Sequence, residues 1–179
     1  MTLAPRIEGT LPIRSPAPAF LQAFGRRAET GLLTGRPQPR SYYVVNAASD
    51  GGLRVRAAGW STAIAVGLND LELRPTHAGA IHYRLQFWRW TCYAVGLCAV
   101  LGGIGLTLLL AFDARAYIAS HPGSQLPGLS IDQNLRVAWA MALFWGFAWP
   151  WILVALHKRS LRRLLARIVA EVDASVAKN

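Results

Sequence analysis

The sequence predicts an α+β protein of the membrane: a small antiparallel β-sheet domain of order β-α-β-β-β-β, then a two-helix transmembrane hairpin, then a C-terminal amphipathic helix. Three observations carry that prediction. Two runs contain no charged residue, Trp90–Phe112 with 23 residues and Val137–Leu156 with 20. At about 1.5 Å per residue, each is long enough to cross about 30 Å of hydrocarbon. Before them, from Ile7 to Trp88, short alternating segments are separated by Gly, Pro, Asn and Asp, the rhythm of strands and turns. After them, Leu161, Leu164, Leu165, Ile168, Val169, Val172 and Val176 recur at helical spacing, with Arg162, Arg163 and Arg167 on another face. That pattern is an amphipathic helix.

Taken in order, Ile7–Ile13 alternates in part and suits a short strand, which Pro12, lacking an N–H, confines to a sheet edge or to its own end. Pro16–Phe24 reads as a short helix entered through prolines, and Gly25–Pro39, punctuated by Gly and Pro, as loop. Ser41–Asn46 is rich in β-formers, and Ser49-Asp50-Gly51-Gly52 supplies a turn into Leu53–Ala57. There Leu53, Val55 and Ala57 face a core, Arg54 and Arg56 the solvent. Thr62–Leu68 fits a further strand, continued past Asn69-Asp70 through Leu71–Arg74, with a second turn over Pro75–Gly79. Ile81–Trp88 is the last strand, apolar at odd positions, and it leads directly into the first apolar run. This order of elements, and the order alone, resembles that of helix-grip domains, with a membrane hairpin placed before the final helix.

Composition and charge set the orientation. Hydrophobic residues make up 53 % and charged residues 16 % of the chain, against roughly 25 % charged in soluble domains. The net charge of +10 divides into +6 over residues 1–89, 0 over 113–136 and +4 over 157–179. Lys and Arg collect in cytosolic loops, so both termini are expected in the cytosol and the loop outside. The basic excess is thereby accounted for without nucleic acid. Met1–Arg6 has no charged start followed by an apolar run, so no cleavable signal is expected. The expected boundaries are a cytosolic α+β domain over residues 1–88, a first span over 89–112, an external loop over 113–136, a second span over 137–157 and the amphipathic helix over 158–179.

Residues expected at the cytosolic membrane interface are Trp88, Trp90, Trp149 and Trp151, whose indoles favour that depth, and Arg89, Lys158 and Arg159, whose heads extend toward phosphates while their stems lie along apolar surface. In lipid, helices approach closely over small residues. Ala94, Cys98 and Gly102 form such a ridge on the first span, and Ala138, Ala142 and Gly146 one on the second. They are expected to pack on each other or on a second copy of the chain. Pro150 predicts a kink at Gly146. His121–Gly128 reads as irregular chain, and Ser130 with Gln133 as a capping box that starts the second helix near Ile131.

No constellation for catalysis stands out. The sequence holds no phosphate-binding glycine loop, no H-E-x-x-H, no C-x-x-C and no G-x-S-x-G. His77, His82, His121 and His157 are scattered over predicted turn, strand, loop and membrane edge, while Cys92 and Cys98 lie six apart in the first run and read as buried thiols. Asp70 and Glu72 share one side of a strand, which a solvated edge explains. The expectation is a membrane-anchored binding or scaffold module without catalytic activity or cofactor. Its partners are the lipid bilayer and either a second copy or an envelope protein. The alternative is a bilayer-tethered domain that holds a lipid or apolar ligand between the sheet and the terminal helix.

Overall fold

The computed structural model describes residues 4–32, 43–76 and 79–178. Ser41, Tyr42 and His77, placed above in a strand and a turn, lie outside the described residues. The chain divides into two compact units, one formed by Met1–Cys92 with Ala155–Asn179, the other by Tyr93–Val154.

The first unit is built on a five-stranded antiparallel sheet. Its strands are β1 (Arg6–Pro12), β2 (Tyr43–Ala47), β3 (Leu53–Ala57), β4 (Asp70–Thr76) and β5 (Ala80–Gln86), in spatial order β1-β5-β4-β3-β2. Pro12 falls at the end of an edge strand, where its missing N–H breaks no ladder. The hairpin between β2 and β3 closes on Ala48 and Gly52, whose backbones bond at 2.9 Å, with Gly51 at φ +74° between them. Gly9 is held glycine by its cross-strand partner: a Cβ there would lie 2.8 Å from the Tyr83 hydroxyl.

Helix α1 (Ala17–Thr30) runs well past Gly25, where loop was expected. The reason is contact: Gly25 is buried, and its Cα hydrogen points at Val45 and Leu53, which a Cβ would meet at 3.4 and 3.7 Å. The glycine brings the helix close to the sheet instead of ending it. The second departure is α2 (Trp60–Val66), where Thr62–Leu68 was expected as strand. β3 and β4 pair directly, Arg56 opposite Asp70 and Val55 opposite Leu71, so the residues between them form a connection and cannot also join the sheet. Ala63 and Ala65 favour helix, and Gly67 ends it in the left-handed conformation at φ +78°.

One face of the sheet is apolar and covered. Val55, Leu71, Leu73, Ile81 and Leu85 are at most 1 % exposed, as are Phe20 and Phe24 of α1. Helix α6 (Trp149–Val176) completes this core with Leu161, Leu165, Ile168, Val169 and Val172, all buried. It is tied to the β1–α1 connection by Asp173, which accepts hydrogen bonds from the backbone N–H of Arg14 at 3.0 Å and of Ser15 at 3.0 Å, and from the Ser15 hydroxyl at 2.5 Å. The amphipathic face is therefore satisfied by protein.

The second unit contains most of α3 (Trp88–Ala111), then α4 (Ala114–Ser120), a single 3₁₀ turn over Pro122–Ser124, α5 (Ile131–Leu143), a π turn over Phe144–Ala148 and the start of α6. Two helical stretches, Trp88–Ala111 and Ile131–Val176, each contain an 18-residue window, of mean hydropathy 2.3 and 1.6 respectively, apolar enough to cross a membrane. The expected capping box is present: Ser130 Oγ accepts from Gln133 N–H at 3.3 Å and Gln133 Oε1 from Ser130 N–H at 2.8 Å. The connecting segment is more ordered than its Pro and Gly content implies. Buried Asn134 accepts from Leu126 N–H at 2.8 Å and donates to the carbonyls of Leu129 and Ser130. Pro150 acts through the π turn: the chain bulges just before it, and Trp149 N–H reaches back five residues to the Phe144 carbonyl.

Candidate functional site

Strand alternation sends Arg6, Glu8, Arg54, Arg56, Asp70, Glu72, Arg74 and Arg84 to the sheet face opposite the core. The register then sets opposite charges side by side. Arg54 lies across from Glu72, Arg56 from Asp70, Glu72 from Arg84 and Arg84 from Glu8. Ion pairs close between Arg56 and Asp70 at 3.0 Å, Arg84 and Glu8 at 3.1 Å, Arg74 and Glu72 at 2.7 Å, Arg74 and Asp50 at 3.2 Å, and Arg54 and Glu72 at 3.6 Å. The hydrogen bond from Arg74 holds the Glu72 carboxyl below its usual range. The arginine side chains stay 44 to 60 % exposed, so each pair contributes little to stability. What they create is a pattern of charge fixed by strand register. Two hollows mark this face: one of about 150 Å³ between Arg54, Asp70, Glu72 and Arg84, and one of about 330 Å³ beside Asp50, Arg54, Glu72 and Arg74, the second at the small end of the about 300–1,000 Å³ of most ligand sites. Asp70 and Glu72, expected on a solvated edge, are instead in the interior of this lattice.

The residues expected at the membrane interface separate into distinct environments. Arg89 opens α3 with its guanidinium 5.7 Å from the Trp60 ring centre and 5.4 Å from that of Trp88, and the two indoles meet edge to face at 5.5 Å. Its backbone N–H donates to Asn69 Oδ1 at 3.3 Å and its Nη1 to the Ala57 carbonyl at 3.4 Å, while Nε is enclosed with no protein acceptor. Trp90 stacks on His157 with ring centres 3.7 Å apart, and His157 Nε2–H donates to the Gly67 carbonyl at 3.1 Å. Lys158 is half-buried, and desolvation together with the charge of Arg162 pulls its pKa downward, whereas Arg159 is exposed. Trp149 packs on Trp145 at 4.8 Å in the second unit, and Trp151 is 44 % exposed.

No family model, curated protein or solved structure matches this chain.

In the second unit Gly102 of the first small-residue ridge meets Gly146 and Ala142 of the second. A Cβ on Gly102 would overlap Gly146 Cα and lie 3.0 Å from Gly146 N and 3.4 Å from the Ala142 carbonyl. A Cβ on Gly146 would lie 3.1 Å from Gly102 Cα and 3.9 Å from the Cys98 carbonyl. Ala94 and Cys98 are buried, and Ala138 is half-buried. Beside this contact runs an apolar groove of about 610 Å³, lined by Leu97, Leu101, Leu108, Met141, Trp145 and Trp149 among others. Trp60, which the sequence analysis does not single out, lies against Arg89 and Trp88. Nothing in its spacing marks it, because both of these neighbours come from α3, distant in sequence.

Proposed function

We propose that the chain is a membrane-anchored binding or scaffold module. The two apolar helices form a transmembrane hairpin, the loop over residues 113–136 faces outward, and both termini lie in the cytosol. The charge sums of +6, 0 and +4 over residues 1–89, 113–136 and 157–179 support that orientation. The exposed Leu97, Val100, Leu101, Ile104, Leu108 and Leu110 on α3, which water would penalise and lipid accepts, support the membrane placement of that helix.

The observation that carries the functional reading is the uncovered ionic face of the sheet. Helices α1 and α6 serve the apolar face, and the opposite face presents charges whose positions are set by strand register. Fixed, complementary charge gives an interface its specificity and orientation. The carboxylates and guanidinium groups there are engaged with one another, which supports a binding role over a catalytic one. The filled interior, with Phe20, Phe24, Leu71, Leu73 and Leu85 at 1 % exposure or less, supports this reading over one in which sheet and terminal helix enclose an apolar ligand. The partner is a protein of the envelope or a second copy of the chain, and no part of the reading calls on nucleic acid.

Affinity purification of the full chain from native membranes, beside a variant with Arg54→Glu and Arg84→Glu, tests this. A specific protein recovered with the wild type and lost from the variant, with thermal unfolding unchanged, is the expected result. Recovery of the same proteins with both would remove the ionic face from the function.

A further inference from the structure

We infer that Arg89, held between Trp60 and Trp88, binds the phosphate of an anionic phospholipid headgroup. A guanidinium carries five N–H donors, and here one reaches a backbone carbonyl at the long distance of 3.4 Å while Nε is enclosed. Among the described residues no carboxylate lies within 4.0 Å of Arg89, in contrast to Arg54, Arg56, Arg74 and Arg84 on the sheet. The cation is thus positioned by ring faces and left without a counter-charge.

The setting selects the source of the phosphate. Arg89 is the second residue of α3, and the uncharged run starts at the next position. Trp60 is 50 % exposed and Trp88 38 %. Exposed indoles at the start of a spanning helix favour the depth of headgroups and glycerol, so a lipid phosphate on Arg89 would bring its glycerol and first methylenes over these rings. A free phosphate ion gains nothing from the indoles. The ring faces also draw the cation toward themselves, which fixes the guanidinium plane for bidentate contact with phosphate oxygens.

This inference rests on the membrane reading above. Its test is native mass spectrometry of the full chain, purified in detergent and offered equal phosphatidylglycerol and phosphatidylcholine. Wild type should retain phosphatidylglycerol about fivefold over phosphatidylcholine, a factor expected for one basic side chain at an anionic surface. Arg89→Gln should bring the two to parity, and Arg56→Gln, on the ionic face, should leave the preference intact. Should Arg89→Gln fail to fold, Arg89→Lys and Trp60→Leu decide, and an undiminished preference in both overturns the site. Millimolar inorganic phosphate should leave the lipid in place, and displacement by it would overturn the headgroup in favour of a free anion. Resistance of the wild type to carbonate extraction from membranes is scored separately. Its loss refutes the anchoring itself, whereas retention with an unchanged preference in the Arg89 variants refutes only the headgroup site.

Discussion

Replacing Gly102 with Ala adds one methyl group at the point where the helices of the second unit come closest. The new Cβ would overlap Gly146 Cα and lie 3.0 Å from Gly146 N, whereas carbon atoms pack comfortably at about 3.5–4.0 Å. Both obstructing atoms are backbone, so no change of rotamer clears them, and the helices must separate by roughly 1 Å over that stretch. Overpacking of this kind costs about 1–3 kcal/mol, against which the better helix propensity of Ala returns at most about 1 kcal/mol. Gly103, the next residue, is the control, because a Cβ there meets nothing within 4 Å. Thermal unfolding in detergent should show Gly102→Ala destabilised by about 1–2 kcal/mol and Gly103→Ala unchanged or slightly stabilised. Equal stability of the two variants would refute the close approach of the helices.

Gly67→Ala should destabilise the sheet unit by about 1–3 kcal/mol, since Gly67 has φ +78° and the His157 ring occupies the space of the new methyl. Pairing it with His157→Ala in chemical denaturation separates the steric part, which is relieved, from the backbone part, which stays. Partial burial works to raise the Asp173 pKa, but the hydrogen bonds from Ser15 and Arg14 outweigh it and hold the carboxyl below its usual range. The stability it confers is therefore present above the unfolded pKa of about 3.9 and lost as pH falls through the lower folded value. Melting temperature should accordingly fall more steeply in wild type than in Asp173→Asn below about pH 4, and parallel profiles would deny the carboxylate that role. Leu165→Asp should cost several kcal/mol by burying a carboxylate in an apolar contact, at the upper end of about 1–5 kcal/mol. The combined change of Arg162, Arg163 and Arg167 to Gln should alter unfolding little, as all three are exposed; the reverse order would place the helix on lipid. Reporter fusions before Met1 and after Asn179 should read cytosolic and one within Gly123–Gly128 external, and an external C-terminal fusion would refute the hairpin.

The elements legible in the sequence are those dictated by local chemistry. Pro12 marked an edge strand, Asp50-Gly51-Gly52 a hairpin, Ser130 with Gln133 a helix start, and the uncharged runs two long apolar helices. The elements misread are those where tertiary context overrode a local signal. Gly25 looked like a breaker because its value lies in approach to Val45 and Leu53, partners distant in sequence. Reading Thr62–Leu68 as strand misplaced the connection from β3 to β4, and with it the pairing of Arg54 and Arg56 with Glu72 and Asp70. The ionic face followed from the register, and the register from an element that single-residue preferences leave balanced. The setting of Arg89 depended on Trp60, 29 positions away in the sequence, and no periodicity links the two.

The hydrogen bond from the Arg14 N–H to Asp173 joins residues 159 apart, and that separation sets an order of events during synthesis. The strands and α1 leave the ribosome first, yet the side chains that complete their core, Leu161 to Val172, emerge only after both apolar runs have been made. Until then the nascent domain carries an open apolar surface, the kind of intermediate that aggregates, and contacts of such long separation form slowly. On the topology proposed above, both spans are therefore made before the sheet domain can be completed. A ribosome stalled before residue 161 would hold a sheet still missing its lid.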